Sequence, residues 1–150
     1  MPVFLLAVIV IGLDLLSKYY IEASMWPGMS IPIIENVFHI TYIINPGAAF
    51  GILEYQTGFF IVVSILMVAA AIWYVPRVPV QYRLLRYGIG LLTGGAIGNL
   101  FDRIRYGGVV DFLDFRIWPI FNIADIAIVC GVGCIIITYL YVMRKEEEKR

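Results

Sequence analysis

Four stretches of this chain, residues 3–20, 57–75, 84–100 and 121–143, are predominantly apolar and near the length of a membrane-crossing helix. About 20 mostly apolar residues are needed to cross roughly 30 Å of hydrocarbon as an α-helix. The third run is short in strictly apolar residues, and 101–106 extend it as an amphipathic turn or two, to 84–106. Composition closes off the soluble alternative. Of 150 residues 61% are hydrophobic and 15% charged, with mean hydropathy +0.89. A soluble domain carries about 25% charged residues, and a short one buries only about two-thirds of the surface it would expose unfolded. The first run is expected to be retained: it lacks a basic leader and a convincing small-residue cleavage site, and it carries Asp14 and Lys18. The expected fold is an all-α membrane protein, one membrane domain of four transmembrane helices.

Lysine and arginine set the orientation. Arg77, Arg83 and Arg86 flank the second connection, and Arg144, Lys145, Lys149 and Arg150 lie in the tail 144–150. Segment 21–56 has no Lys or Arg, only Glu22, Glu35 and Glu54. Both termini are therefore expected in the cytoplasm, with 21–56 and 107–120 outside. Between residues 37 and 44, Phe38, Ile40, Tyr42 and Ile44 alternate with the mixed set Val37, His39, Thr41 and Ile43. That period of two reads as a strand, ended by Asn45-Pro46-Gly47. A small extracytoplasmic β-containing segment resting on the membrane is expected.

Polar residues at membrane depth are costly and mark function. Asp14 and Lys18 share a face of the first helix; Asn99, Asp102, Arg103 and Tyr106 share one of the third; Asn122 and Asp125 open the fourth, and Asp111 precedes it. The assigned orientation puts all of them at the outer ends of the helices. Lys18, Arg105, Asp114 and Arg116 are expected to be interfacial anchors whose charges reach the headgroups. Asp111 and Asp125 are different, since both sit among apolar and aromatic neighbours. Brought together in a low-dielectric pocket they cannot both ionise, so they would share a proton, as in aspartic proteases. The N-terminal end of the fourth helix favours Asp125 as the ionised member.

Other chemistries are poorly supplied. His39 is the sole histidine and no H-E-x-x-H exists, so no metal site is expected, and a strand histidine reads as structural. Ser17, Ser24, Ser30 and Ser64 lie in no nucleophile motif. Cys130 and Cys134, one turn apart in the last run, read as packing residues. Gly90, Gly94 and Gly98 form a small-residue row expected to serve packing within the chain. Gly107-Gly108 is expected to release the third helix into the Asp111 segment.

In these blocks the chain closely resembles the bacterial lipoprotein signal peptidase, or signal peptidase II, family. The resemblance rests on Asp14 with Lys18; on Asn45-Pro46-Gly47-Ala48-Ala49-Phe50-Gly51; on Gly94-Gly95-Ala96-Ile97-Gly98-Asn99-Leu100-Phe101-Asp102-Arg103; on Gly108-Val109-Val110-Asp111-Phe112; and on Phe121-Asn122-Ile123-Ala124-Asp125. It implies an aspartic endopeptidase of the bacterial cytoplasmic membrane that cuts prolipoproteins just before a diacylglyceryl-modified cysteine. It further implies Asp111 and Asp125 as the catalytic pair, with Asp14, Asn45, Asn99, Arg103 and Asn122 orienting the dyad or holding substrate, and Lys18 and Asp102 as structural polar residues. No cofactor is expected. The expected partners are prolipoproteins and membrane lipids; a balance of eleven basic and eleven acidic residues favours no nucleic acid. One chain holds a whole site, so a monomer is expected. The competing reading is a small proton-coupled transporter using Asp14 or Asp125, against which stands the clustering of acids at one edge instead of mid-membrane.

Overall fold

Apolar runs without interior proline give four long helices in the computed structural model, which describes residues 2–47 and 55–147. They are α1 (Pro2–Ser24), α2 (Thr57–Tyr74), α3 (Arg83–Tyr106) and α4 (Ile123–Glu147). Three strands, β1 (Ser30–Ile34), β2 (Phe38–Asn45) and β3 (Val109–Asp114), form one antiparallel sheet in the order β1-β2-β3. The motif residues Ala48, Ala49, Phe50 and Gly51, and the tail beyond 147, lie outside the described residues.

Among the described residues three helical stretches are long and apolar enough to cross a membrane: Val3–Ser24, Thr57–Arg77 and Ile123–Lys145, with mean hydropathy 1.9, 2.4 and 2.4. Their apolar side chains face outward, Leu5, Leu16, Leu66, Val129 and Leu140 among them. α3 is equally long, but its glycines and charges keep it below that apolarity, and it is the helix that packs against all three others. Its backbone makes close contact on two sides. A Cβ on Gly90 or Gly94 would come within 2.8 Å of the Val3 or Ala7 carbonyl oxygen of α1, and one on Gly95 within 2.4 Å of the Ala124 oxygen of α4. The row of small residues thus serves packing inside the chain. Cys134 lies against Gly88 across the same α3–α4 seam, whereas Cys130 is exposed, which corrects its reading as a packing residue.

The sheet caps one end of the bundle. Gly107, at φ +72°, ends α3 in the left-handed conformation, and its N–H still bonds the Arg103 carbonyl while the chain turns into β3. β2 falls where the alternating pattern lies. β1 carries no alternation because it is an exposed edge strand with Pro32 inside it, a place where proline is tolerated. β3 carries none because Val109, Val110, Asp111 and Phe112 are all buried. Under the sheet lie Ile21, Met25, Tyr42, Val110 and Phe112; at the far end of the bundle Val3, Val75, Val78 and Ile89 form a second cluster.

The closeness of Gly95 to α4 makes a specific prediction. Gly95→Ala should lower stability in detergent by about 1–3 kcal/mol, because a backbone carbonyl must shift. Gly133→Ala, with open space around its Cβ, should be neutral or slightly stabilising; thermal unfolding of the two variants checks both.

Candidate active site

Lysine supplies three N–H donors, and Lys18 finds three acceptors. Its Nζ lies 2.7 Å from Asp14 Oδ2, 2.8 Å from Asp102 Oδ2 and 3.1 Å from Asn99 Oδ1. The expectation that Lys18 reaches toward headgroups is overturned, since it is 2% exposed. With every proton satisfied inside, the ammonium gains nothing by leaving. The partners carry the bonds onward. Asp14 Oδ1 accepts the Ala124 N–H at 2.9 Å, and Asp102 Oδ2 accepts the Val110 N–H at 3.1 Å. One buried cation therefore ties α1 and α3 to the segments that carry Asp111 and Asp125.

Asn122 directly precedes α4 and caps it reciprocally with Asp125, three residues on. The Asp125 N–H donates to Asn122 Oδ1 at 2.9 Å, and the Asn122 N–H donates to Asp125 Oδ2 at 3.2 Å. That arrangement leaves the Asn122 amide free to donate elsewhere, to Asp111 Oδ1 at 2.7 Å and Asn99 Oδ1 at 3.0 Å. Asn99 in turn donates to Asp125 Oδ1 at 2.8 Å. From the end of β2, Asn45 donates to Asp111 Oδ2 at 2.9 Å while its own Oδ1 takes the Gly47 N–H at 3.0 Å, an Asx turn that fixes its aim. The structure thus brings Asp111, Asp125, Asn45, Asn99 and Asn122 into one network, with Asp14, Lys18 and Asp102 immediately behind it.

The two carboxylates differ in setting. Asp111 is 2% exposed, and Asp125 is only partly buried. Burial, and secondarily the neighbouring Asp125 charge, push the Asp111 carboxyl up to about 7, against the opposing bonds from Asn45 and Asn122 and the charge of Lys18. Arg103 sets its guanidinium over the Phe60 ring at 4.7 Å, where its charge acts on Asp125, Asp111 and Asp102. One acid that keeps its proton near neutrality beside a wetter, well-bonded carboxylate is an arrangement suited to acid–base work. Among the described residues no group of three His, Cys, Asp or Glu side chains could hold a metal ion.

The remaining charges divide. Arg105 and Arg116 keep half-exposed side chains, each in an ion pair, with Glu22 and Asp114. Asp114 is buried, which overturns its reading as an anchor. Its carboxylate accepts from Thr41 Oγ1 at 2.8 Å, and from the Arg116 N–H and Nη1 at 2.9 Å each. Burial works to raise this carboxyl, but the bonds from Thr41 and Arg116 outweigh it and leave it below the usual range. His39 Nδ1 lies 3.1 Å from Ser30 Oγ. Sequence reasoning missed the Thr41–Asp114–Arg116 group because β3 shows no alternation; an Asp-x-Arg at the close of a short apolar run is the signal that marks it.

A model of the signal peptidase (SPase) II family matches residues 6–141. A protein named lipoprotein signal peptidase from Moorella thermoacetica is 50% identical over 132 residues, 88% of each chain. Its namesake from Pelotomaculum thermopropionicum is 46% identical over 131 residues, covering 87% of this chain and 86% of that one. Among solved structures, a bacterial membrane enzyme determined by the in meso method at 2.3 Å resolution superposes with TM-score 0.86 at 34% identity, covering 99% of this chain and 93% of that one.

Removing the buried ammonium would leave Asp14 and Asp102 uncompensated. Lys18→Met should therefore destabilise the fold by about 3–5 kcal/mol, well beyond an exposed Arg105→Met control, as measured by thermal unfolding in detergent.

Proposed function

The chain belongs to the signal peptidase II family, and on that premise we propose that it is an aspartic endopeptidase that removes the signal peptide of diacylglyceryl-modified prolipoproteins, cutting before the lipidated cysteine. The observation that carries this reading is Asn122, which bonds Asp111 with its amide and Asp125 with its main chain. Two carboxylates held by one residue, one of them protonated to about pH 7, have what water attack on a peptide requires.

In the proposed reaction a water lies between the dyad and the scissile carbonyl. Asp125, bonded by Asn99 and by the Asn122 N–H at the start of α4, takes one proton from the water. The resulting hydroxide oxygen attacks the carbonyl carbon while Asp111 gives its proton to the carbonyl oxygen. Collapse of the tetrahedral diol breaks the C–N bond. The proton on Asp125 goes to the leaving nitrogen, and a diol hydroxyl returns one to Asp111, restoring the starting state. Asn45, Asn99 and Asn122 fix the two carboxyls, Arg103 balances the site's negative charge and offers donors to substrate, and Asp14, Lys18 and Asp102 hold the helices that deliver them.

The membrane placement follows the same reading. All four helices cross a bacterial cytoplasmic membrane, α3 shielded by its neighbours, and both termini are cytoplasmic. The sheet and the dyad then sit at the outer surface, where a diacylglyceryl group would anchor the substrate cysteine. The supporting observations are the outward apolar faces of α1, α2 and α4 and the basic residues Arg77, Arg83 and Arg86 at the end remote from the sheet. One chain supplies the whole site, so the working unit is a monomer.

Asp111→Asn and Asp125→Asn should each abolish cleavage of a diacylglyceryl-modified prolipoprotein by the purified protein, with unfolding temperatures near the parent; substantial turnover by either would remove the dyad. The pH dependence has a defined sign. Asp111 acts as the protonated acid, so kcat/KM should fall as pH rises through about 7, and fall again on the acid side as the dyad gains a second proton. A profile flat from neutrality upward would refute the assigned roles.

A further inference from the structure

The Asn122 amide lies 2.7 Å from Asp111 Oδ1, although the two residues are eleven positions apart in the chain. Between β3 and α4 the backbone leaves the sheet after Asp114, turns, and comes back at Phe121. The return is fixed by an isolated bridge: the Leu113 N–H donates to the Phe121 carbonyl at 2.8 Å, and the Phe121 N–H donates to the Leu113 carbonyl at 3.2 Å. The rings of Phe115 and Phe121 stack across the excursion, their centroids 5.9 Å apart.

The outward turn is built on a disfavoured backbone. Arg116 adopts φ +65°, the left-handed region that non-glycine residues rarely occupy. Asp114 stabilises that conformation directly, because its Oδ1 takes the Arg116 N–H while its Oδ2 takes the Arg116 guanidinium and the Thr41 hydroxyl. Thr41 belongs to β2, and its hydroxyl lies 2.7 Å from Ser30 Oγ of β1, so the turn is tied across all three strands. Nothing in the proposed chemistry uses Asp114, yet it is buried, charged and fully bonded.

We propose that Asp114 is a positioning residue: the turn its carboxylate holds determines where the chain re-enters the sheet, and thereby seats Asn122 against Asp111. The reading rests on the Asp111–Asp125 dyad for its catalytic consequence, but not for its structural one. Without the Asp114 carboxylate, the Arg116 turn relaxes toward ordinary backbone angles, Phe121 shifts, and the Asn122 amide moves off Asp111. The groups facing Asp111 are Asn45 from β2, Asn122 and Asp125 from the start of α4, Lys18 from α1 and Arg103 from α3. Of these Asn122 alone lies on the excursion's return. Its bond favours the ionised form of Asp111, so losing it moves the Asp111 titration upward.

The test reads Asp111 itself. Infrared titration of the purified protein, with the Asp111→Asn spectrum subtracted, follows the carboxyl band, and prolipoprotein cleavage is measured alongside. Asp114→Ala should raise the Asp111 midpoint, carry the alkaline limb of kcat/KM upward with it, and lower kcat about tenfold or more with KM within about twofold. Asp114→Asn, which keeps an acceptor for the Arg116 N–H, should recover most of both. Thr41→Val, which removes one of the bonds that fix the Asp114 carboxylate and so loosens the turn, should show the same displacement in smaller measure, and it carries the test where Asp114→Ala does not fold. An unchanged midpoint and kcat in the folded Asp114→Ala and Thr41→Val proteins overturns the proposal. A shifted midpoint with full activity in Asp111→Asn would remove the dyad and leave the positioning role standing.

Discussion

A single ammonium group organises this molecule. Lys18 is buried where an unpaired charge could not persist, and its three acceptors come from two different helices. Each acceptor also holds something further. Asp14 secures the first turn of α4, Asp102 secures the main chain just before Asp111, and Asn99 shares its oxygen with Asn122 and its amide with Asp125. The positions of Asp111 and Asp125 therefore depend on satisfying Lys18. A buried ion cluster of this sort is a poor source of net stability, but it strongly penalises alternative arrangements, since any helix shift strands a charge.

Around that centre the usual layering of a soluble protein is reversed. α1, α2 and α4 present their aliphatic side chains outward, while the interior seams are lined by glycine, small residues and hydrogen-bonded polar groups. In an apolar solvent there is little to gain from hiding leucine, so tight backbone contact and internal hydrogen bonds do the holding. α3 shows this best. Its glycines let α1 and α4 approach from two sides, and that approach brings Lys18 and Asn122 within reach of Asn99.

Much of this was legible in the sequence, and what was not has physical causes. Long apolar runs reveal helices because length and continuity do not depend on partners, and the strand at Phe38 to Asn45 showed itself by alternation. β3 was silent because it is buried on both faces, and β1 because it is exposed on both. Lys18 was misread for a related reason. A lysine near a helix end ordinarily extends to water, and only the third helix, eighty residues on, supplies the acceptors that hold it inside. Asp114 was misread likewise, since its partner Thr41 lies across the sheet. Asp111, Asp125, Asn122 and Asn99 stood out because polar groups are scarce in this chain, but their mutual bonds are tertiary facts.

The Asp14–Lys18 pair also bears on how such a chain is made. α1 is synthesised long before Asn99 and Asp102 exist, so its two buried charges must first be accommodated without them. Being four residues apart on one helix face, with 2.7 Å between ammonium and carboxylate, they neutralise each other locally. The first helix can therefore enter an apolar environment as an electrically closed unit. In the folded chain the same ammonium also bonds Asp102 and Asn99 of α3, so a pair that is neutral within one helix is at the same time the seat of a coordination shared between two.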